Sequence, residues 1–196
     1  MGWSMSLPYL EISNFLSDFD SARNYFDSIP YEGVTNPADG VYYPGVSTEI
    51  PSNIASEVID KTSSIIGREV LPRTIFVRLS TEGVEAPHQA HTDSVMGQYS
   101  LMCYLNRSND CRGGTAFVKS VHGLYSDPEA VEDFEFWKEN HSNPDLWVAW
   151  ARCDMEENKA CIFPANLMHR AEPIGGFGKT AKDGRLVLTM FFDVVN

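Results

Sequence analysis

Residues 185–194 read RLVLTMFFDV, a run of apolar and β-branched side chains that predicts a β-strand close to the end of the chain. Shorter segments of the same character occur at 74–79, 99–105, 115–118 and 160–163. Apolar residues instead recur at helical spacing over 13–28, with Ser13 as N-cap, and over 52–66, which Gly67 ends. Helices followed by many short strands predict an all-β core with flanking helices, in which an antiparallel sheet closes on itself.

The size of the chain fits one domain. Its 196 residues, of which 43% are hydrophobic, are enough to bury one substantial core. We therefore expect a single domain over 1–196. In this division residues 1–70 form a mainly helical N-terminal support, and residues 71–196 form the β core with an insertion at about 120–155.

Two segments of the predicted insertion have their own patterns. Residues 129–140 predict an acidic surface helix with Val131, Phe134 and Trp137 turned inward. Residues 147–152 fit either a further strand or an extension of that helix, and the pattern does not decide between the two.

The charge of the chain restricts its partners. Lys and Arg number 15 against 27 Asp and Glu, so the formal net charge is −12. Because a nucleic-acid binder usually presents a basic face, we expect a small-molecule or peptide substrate and regard nucleic acid as an unlikely partner. No apolar run is long enough for a membrane span, residues 1–6 lack the charged start of a secretory signal, and the four cysteines include no C-x-x-C pair. These features predict a cytoplasmic protein with reduced thiols and no membrane partner, and they indicate no oligomeric state.

His91, Asp93 and His169 are the candidate catalytic and metal-ligating residues. His91 and Asp93 lie two positions apart in a segment expected to be extended, so both side chains point to one face. His169 follows the predicted strand at 160–163 and a predicted turn at 164–166. Two imidazoles and one carboxylate on one side of a metal form the facial triad of non-haem Fe(II) oxygenases, which leaves the opposite coordination positions open.

Other histidines compete for a metal. A His-x-Asp motif by itself is common, and His88 with His91 forms another candidate pair, although Pro87 argues against the helix that such a pair needs. His122 and His141 lie in segments that we expect at the surface.

A series of motifs follows the first histidines. They are His91-Thr92-Asp93, Tyr104-Leu105-Asn106, Gly113-Gly114-Thr115-Ala116-Phe117, residues 160–164, Leu167-Met168-His169-Arg170 with Glu172-Pro173-Ile174, and Gly184-Arg185-Leu186-Val187-Leu188-Thr189-Met190-Phe191-Phe192. Their order, spacing and strand character resemble the prolyl-hydroxylase-like branch of the Fe(II)/2-oxoglutarate-dependent dioxygenases. The resemblance covers roughly the C-terminal half of the chain, and the first 70 residues show no specific match.

The resemblance implies a fold, cofactors and an activity. The fold is a double-stranded β-helix, that is, a jelly-roll or cupin-like barrel. His91, Asp93 and His169 hold Fe(II), at which O₂ reacts. Arg185, Tyr104 and, as a weaker candidate, Thr189 bind the 2-oxoglutarate cosubstrate, because a buried carboxylate needs a guanidinium or hydroxyl partner. The implied activity is hydroxylation of an unidentified small molecule or peptide, with formation of succinate and CO₂.

Two other functions remain open at this point. One is a cupin-like metal-binding barrel with a non-oxidative isomerase or ligand-binding function, which would leave Arg185 without a role. The other is a non-catalytic interaction module. Two further arginines have uncertain positions: Arg78 fits either a side chain that points into the barrel or a salt-bridged sheet residue, and Arg170 is expected to point away from the metal.

Overall fold

The computed structural model describes residues 8–37, 40–84 and 86–195. The N-terminal residues 1–6 on which the absence of a secretory signal was argued lie outside these ranges. Within them the helices are α1 (Phe19–Phe26), α2 (Ser52–Ile66) and α3 (Val131–Asn140), with single 3₁₀ turns at Ser108–Asp110 and Pro144–Leu146. None of the helices in the described part of the chain is long and apolar enough to cross a membrane.

The described part of the chain contains eleven strands. They are β1 (Leu10–Ile12), β2 (Val34–Thr35), β3 (Tyr42–Tyr43), β4 (Val46–Ser47), β5 (Val70–Ser80), β6 (Tyr99–Tyr104), β7 (Gly114–Ser120), β8 (Trp147–Asp154), β9 (Ala160–Pro164), β10 (His169–Glu172) and β11 (Arg185–Val194). All five strands predicted from the sequence are among them, and the bounds of β11 match the prediction.

Two antiparallel sheets lie on either side of a central cavity. The larger sheet has the order β1-β9-β6-β11-β5-β4, and the smaller has the order β10-β7-β8. From β5 onward the chain passes repeatedly between the sheets: β6 belongs to the larger, β7 and β8 to the smaller, β9 to the larger, β10 to the smaller and β11 to the larger. This alternation between two facing sheets is the jelly-roll arrangement.

Strand β11 is apolar along most of its length because both of its faces are buried. Its even-numbered residues pack in the main core with α1, α2 and the outer faces of β5 and β6; they are Leu186, Leu188, Met190 and Phe192. Its odd-numbered residues line the central cavity; they are Arg185, Val187, Thr189 and Phe191. The period of two along a strand thus divides one continuous segment between the core and the cavity.

The first helix is shorter than the sequence predicts, because α1 begins at Phe19 rather than near residue 13. The preceding backbone is held by a long-range contact instead: Asn158 Oδ1 accepts from the Leu16 N–H at 2.7 Å, and Asn158 Nδ2 donates to the Leu16 carbonyl at 2.9 Å. Asp18 then caps α1 by accepting a hydrogen bond from the Ser21 N–H.

The prediction for the second helix is confirmed. Helix α2 spans Ser52–Ile66, and Gly67 ends it in the left-handed conformation with φ 71°, where its N–H donates to the Ser63 carbonyl. Its buried residues Ile54 and Val58 pack against the outer face of the larger sheet.

The described part of residues 1–70 contains strands as well as helices. Strand β1 pairs with β9, and β4 pairs with β5, so this segment supplies both edges of the larger sheet. The question left open for residues 147–152 is also answered, since they belong to strand β8, which pairs with β7 along its length. The last part of the predicted insertion at about 120–155 thus contributes a strand to the smaller sheet.

The predicted acidic helix is confirmed as α3, but only one of the three residues predicted to turn inward, Trp137, does so. Val131 and Phe134 were predicted to turn inward, and both are exposed, at 76% and 48%. In place of Val131 and Phe134, Phe136 packs near Trp147; Trp137 turns inward as predicted, and its Nε1 donates to the Ala90 carbonyl at 2.7 Å. This bond ties α3 to the backbone immediately before His91.

Candidate active site

The cavity between the two sheets has a volume of about 720 Å³ and contains the predicted site residues His91, Asp93, His169, Arg185 and Thr189 in its wall. Its size lies in the range of small-molecule sites. The larger sheet forms one wall of the cavity through alternate residues of β5 and β11. The smaller sheet forms the opposite wall, which includes His169 of β10 and Thr115 of β7.

The backbone places the two histidines beside each other. His91 and His169 form an antiparallel bridge in which each N–H donates to the carbonyl of the other, at 3.0 and 2.9 Å. Asp93 is held two residues further on, because its N–H donates to the Ala165 carbonyl at 2.7 Å. Segments far apart in the sequence thus present three side chains to one point.

The three side chains have the geometry of a metal site. Their potential ligand atoms all lie within 4.8 Å of one another. His91 Nε2 is 3.5 Å from Asp93 Oδ1, and His169 Nε2 is 3.3 Å from Asp93 Oδ2. Asp93 and His169 are buried, so these polar groups are withdrawn from bulk water.

Hydrogen bonds fix the ring orientation of both histidines. His91 Nδ1 lies 3.1 Å from the Gln89 carbonyl and His169 Nδ1 lies 2.9 Å from the Leu167 carbonyl. A carbonyl only accepts, so each Nδ1 donates to it, and in the neutral form of each imidazole the lone pair lies on Nε2, on the side of Asp93. Nε2 of His169 is buried and forms no hydrogen bond with the described residues. Two imidazole nitrogens and a carboxylate this close together fit a bound cation, and backbone-oriented imidazoles are typical of metal ligands.

Burial and mutual interactions shift the pKa values of all three side chains. Burial alone would raise the pKa of Asp93, but His169, His91 and the Ser100 hydroxyl, which donates to Asp93 Oδ2 at 2.9 Å, hold it below its usual value. Burial and the adjacent His169 lower the pKa of His91 from 6.5 to about 4. Burial would likewise lower the pKa of His169, but the Asp93 carboxylate outweighs burial and raises it. Asp93 is therefore ionised and His91 neutral at pH 7.

Arg185 lies at the start of β11, in the cavity wall, and is only 5% exposed. Its one hydrogen bond to a described residue is a long one, from Nη2 to the Gly114 carbonyl at 3.3 Å, and its Nε has no partner among those residues. Burial lowers the pKa of Arg185 from 12.5 to about 10. A buried guanidinium without a carboxylate partner is energetically unfavourable unless a ligand supplies the anion.

Asn106 holds Arg185 in place, a role that the sequence did not indicate. Asn106 is fully buried, its Nδ2 donates to the Gly184 carbonyl at 2.7 Å, and its Oδ1 accepts from the Leu186 N–H at 2.9 Å. The side chain thus bonds to the backbone on both sides of Arg185. Its only sequence signal was its place in the Tyr104-Leu105-Asn106 motif.

Tyr104 and Thr189 were predicted to contact the cosubstrate together with Arg185. Thr189 lies in the cavity wall on the same strand face as Arg185. Tyr104 is fully buried and is absent from the cavity wall; its hydroxyl lies 2.9 Å from Thr115 Oγ1 and 3.1 Å from the Cys153 carbonyl. Thr115, rather than Tyr104, belongs to the cavity wall.

Of the other candidate residues, His88 and Arg170 lie outside the metal cluster, and Arg78 lies in the cavity wall. His88 stacks against Trp137 and His141 and does not belong to the metal cluster of the described residues. Arg170 points away from the metal site and binds Glu172, as predicted. Arg78 faces the cavity and forms no salt bridge with a described residue, which decides between its two predicted positions.

The fold is similar to those of several solved structures. The chain has a TM-score of 0.57 with the viral collagen prolyl hydroxylase of Paramecium Bursaria Chlorella virus-1, at 13% identity, covering 100% of this chain and 98% of that one. EctD from S. alaskensis with 2-oxoglutarate and 5-hydroxyectoine gives 0.51 at 12% identity, covering 94% and 71%. The non-heme alpha ketoglutarate dependent epimerase SnoN from nogalamycin biosynthesis gives 0.53 at 13% identity, covering 94% and 78%.

These similarities confirm the predicted fold class. The chain has the double-stranded β-helix fold of the iron- and 2-oxoglutarate-dependent oxygenases, a sheet-rich core with flanking helices. Neither a scan of protein-family models nor a search of curated proteins finds a match to the sequence. At 12–14% identity the likeness shows the fold alone.

Proposed function

We propose that this protein is an Fe(II)- and 2-oxoglutarate-dependent oxygenase that hydroxylates its substrate and releases succinate and CO₂. One observation carries the proposal: a buried cluster of two histidines and one aspartate shares a cavity with a buried arginine that lacks an anionic partner. Either half alone would fit several kinds of site, but together they match the two requirements of this chemistry, a metal and a dicarboxylate.

His91, Asp93 and His169 would hold the iron. When bound, Fe(II) with 2-oxoglutarate and O₂ supplies the oxidising power that no amino-acid side chain provides. The protein's part is to fix the ligands. The Gln89 and Leu167 carbonyls orient the imidazoles, and Ser100 orients the carboxylate.

Arg185 would pair with the far carboxylate of 2-oxoglutarate. A planar guanidinium can donate two parallel hydrogen bonds to a carboxylate, and burial strengthens them. Thr189 on the same strand face and Thr115 on β7 are hydroxyl-bearing residues of the same cavity wall. Tyr104 remains a candidate donor, which would require its hydroxyl to exchange the Cys153 carbonyl for the cosubstrate.

The alternative is a metal-binding barrel with a non-oxidative function. It accounts for the metal cluster but not for Arg185. In the described part of the chain, the buried guanidinium makes one long hydrogen bond and its Nε makes none. The finer reaction is open to variation, since the structurally similar SnoN is an epimerase. Hydroxylation is proposed because the prolyl hydroxylase gives the higher TM-score and covers both chains almost completely.

We also propose that the whole chain is one domain that acts on a small molecule or a peptide. The edge strands β1 and β4 come from the first 70 residues, which joins that segment to the core. The cavity volume of about 720 Å³ favours a small molecule.

The test is metal-dependent binding of 2-oxoglutarate, measured by calorimetry with Mn(II) as a redox-inert substitute for Fe(II). The wild type should bind 2-oxoglutarate only when the metal is present. His91→Ala should lose both ligands, whereas Arg185→Met should keep the metal and lose 2-oxoglutarate. Arg73→Met is the control, because it makes the same substitution at an exposed arginine of β5, outside the cavity wall, and it should bind both the metal and 2-oxoglutarate. A wild type that binds 2-oxoglutarate equally well without metal would contradict the proposal.

A further inference from the structure

The cavity contains a second guanidinium, that of Arg78 on β5. In the pairing of β5 with β11, Arg78 lies opposite Val187 and Ser80 lies opposite Arg185. The two arginines are therefore diagonal neighbours on adjacent strands and both belong to the cavity wall. Like charges at such positions are unfavourable, so this arrangement calls for a reason.

Arg78 has few compensating contacts. Among the residues that the structure describes, its buried Nε has no hydrogen-bond partner and its guanidinium has no carboxylate in salt-bridge range. The Tyr43 ring lies beneath it, 5.9 Å from Cζ to the ring centroid. Asp93, the carboxylate that acts electrostatically on Arg78, is already engaged by His91, His169 and Ser100. Burial lowers the pKa of Arg78, as it does that of Arg185.

The charges of the cavity leave one cation in excess. Arg78 and Arg185 are its cationic side chains within the described wall, and Asp93 is its carboxylate. Asp93 would be used by the metal, and Arg185 by the far carboxylate of 2-oxoglutarate. Arg78 is then the charge that remains for a further anion.

The rest of the wall is largely apolar. The side chains around Arg78 and toward the opening include Val34, Val46, Phe76, Met96, Trp137 and Phe191. Such walls bind an apolar body and leave a few polar groups to fix its orientation.

We propose, resting on the proposed function above, that Arg78 is the anchoring residue for an anionic group of the substrate. The substrate is accordingly an amphiphilic small molecule with an apolar body and one carboxylate or equivalent anion. Arg78 lines the same cavity as His91, Asp93 and His169, so the anion would set which part of the apolar body reaches the iron. A charge-assisted contact of this kind changes affinity by about tenfold or more.

The experiment compares 3-phenylpropanoate with 3-phenylpropanamide, two probes of nearly equal shape that differ in charge. Their dissociation constants are measured on the protein loaded with Zn(II) and 2-oxoglutarate, by quenching of tryptophan fluorescence, since Trp137 lines the cavity. The wild type should bind the acid at least about ten times more tightly than the amide. Arg78→Met should remove this preference, Arg78→Lys should keep part of it, and the control Arg73→Met should keep all of it. Thermal unfolding of each variant confirms that it is folded.

Failure of the inference is distinguishable from failure of the proposed function. A wild type that binds no 2-oxoglutarate in the presence of metal overturns the proposed function and, with it, the inference. If 2-oxoglutarate binds but the acid has no advantage over the amide, or neither probe binds, the anchor is disproved and the oxygenase proposal stands. An Arg78→Met protein that loses 2-oxoglutarate instead of the probe preference would place Arg78 in the cosubstrate pocket and overturn the inference.

Discussion

Replacement of Arg185 by methionine should make the ligand-free protein more stable, because a ligand-binding arginine is buried without its ligand. The pKa of Arg185 falls from 12.5 in the unfolded chain to about 10 in the folded protein, chiefly through burial. The folded state therefore holds this proton less tightly, and the penalty is fully present at pH 7. A difference of this size corresponds to about 3 kcal/mol. The hydrogen bond to the Gly114 carbonyl offsets about 1 kcal/mol of it.

The expected net gain is about 2 kcal/mol, since methionine fills a similar volume with an apolar chain. For a chain of this length it raises Tm by about 4–8 °C. The assay is urea and thermal unfolding of the metal-free protein at pH 7. In the metal-loaded wild type, 2-oxoglutarate at a hundred times its Kd should add about 2.7 kcal/mol. Arg185→Met should not respond to 2-oxoglutarate.

Arg23 provides the matched control, because it is a second buried arginine that has partners. It pairs with Asp27, and its Nη2 donates to the Ala181 and Lys182 carbonyls at 2.7 and 3.1 Å. Arg23→Met leaves these groups without a partner and should destabilise the protein by about 3–5 kcal/mol. An Arg185→Met protein that is less stable than the wild type, or that 2-oxoglutarate still stabilises, would refute the ligand-binding role of Arg185.

Three further changes test other residues. His91→Ala should abolish the rise in Tm that Mn(II) gives the wild type, because it removes one of the three ligands; an undiminished rise would exclude His91 from the site. Asn106→Ala should cost about 3 kcal/mol in urea unfolding, since it leaves two buried backbone groups unpaired, and should weaken 2-oxoglutarate binding by displacing Arg185; unchanged binding would limit Asn106 to a structural role. Hydrogen bonds, chiefly from Thr180, lower the pKa of Asp183 from 3.8 to about 2, so its stabilising effect is present above pH 4 and lost as the pH falls to about 2. The urea midpoints of wild type and Asp183→Asn should accordingly differ at pH 5 and converge near pH 2.

The strands were predictable because their signal is local. Strand β11 is a continuous run of apolar and β-branched residues, and such a run is visible within a single segment of sequence. The pairing of His91 with His169 was predictable only through chemistry, since two imidazoles and a carboxylate have few other reasons to converge.

The features that were missed depend on contacts between distant segments. The start of α1 is displaced by Asn158, which lies 142 positions from Leu16 and has no local signature. The face of α3 that turns inward is selected by Trp147 and Ala90 rather than by its own periodicity. The hydrogen bonds of Tyr104 depend on how β7 and β8 approach it, which the sequence does not encode locally.

Anaerobic titration of the protein with Fe(II) and 2-oxoglutarate measures directly whether the cavity binds a metal and a dicarboxylate together. The proposed site predicts a visible metal-to-ligand charge-transfer band that saturates at one equivalent of each. The band should be missing from His91→Ala and should need far more 2-oxoglutarate in Arg185→Met. Absence of the band in the wild type, or a band of equal affinity in Arg185→Met, would contradict the assignment of His91, Asp93 and His169 to iron and of Arg185 to the cosubstrate.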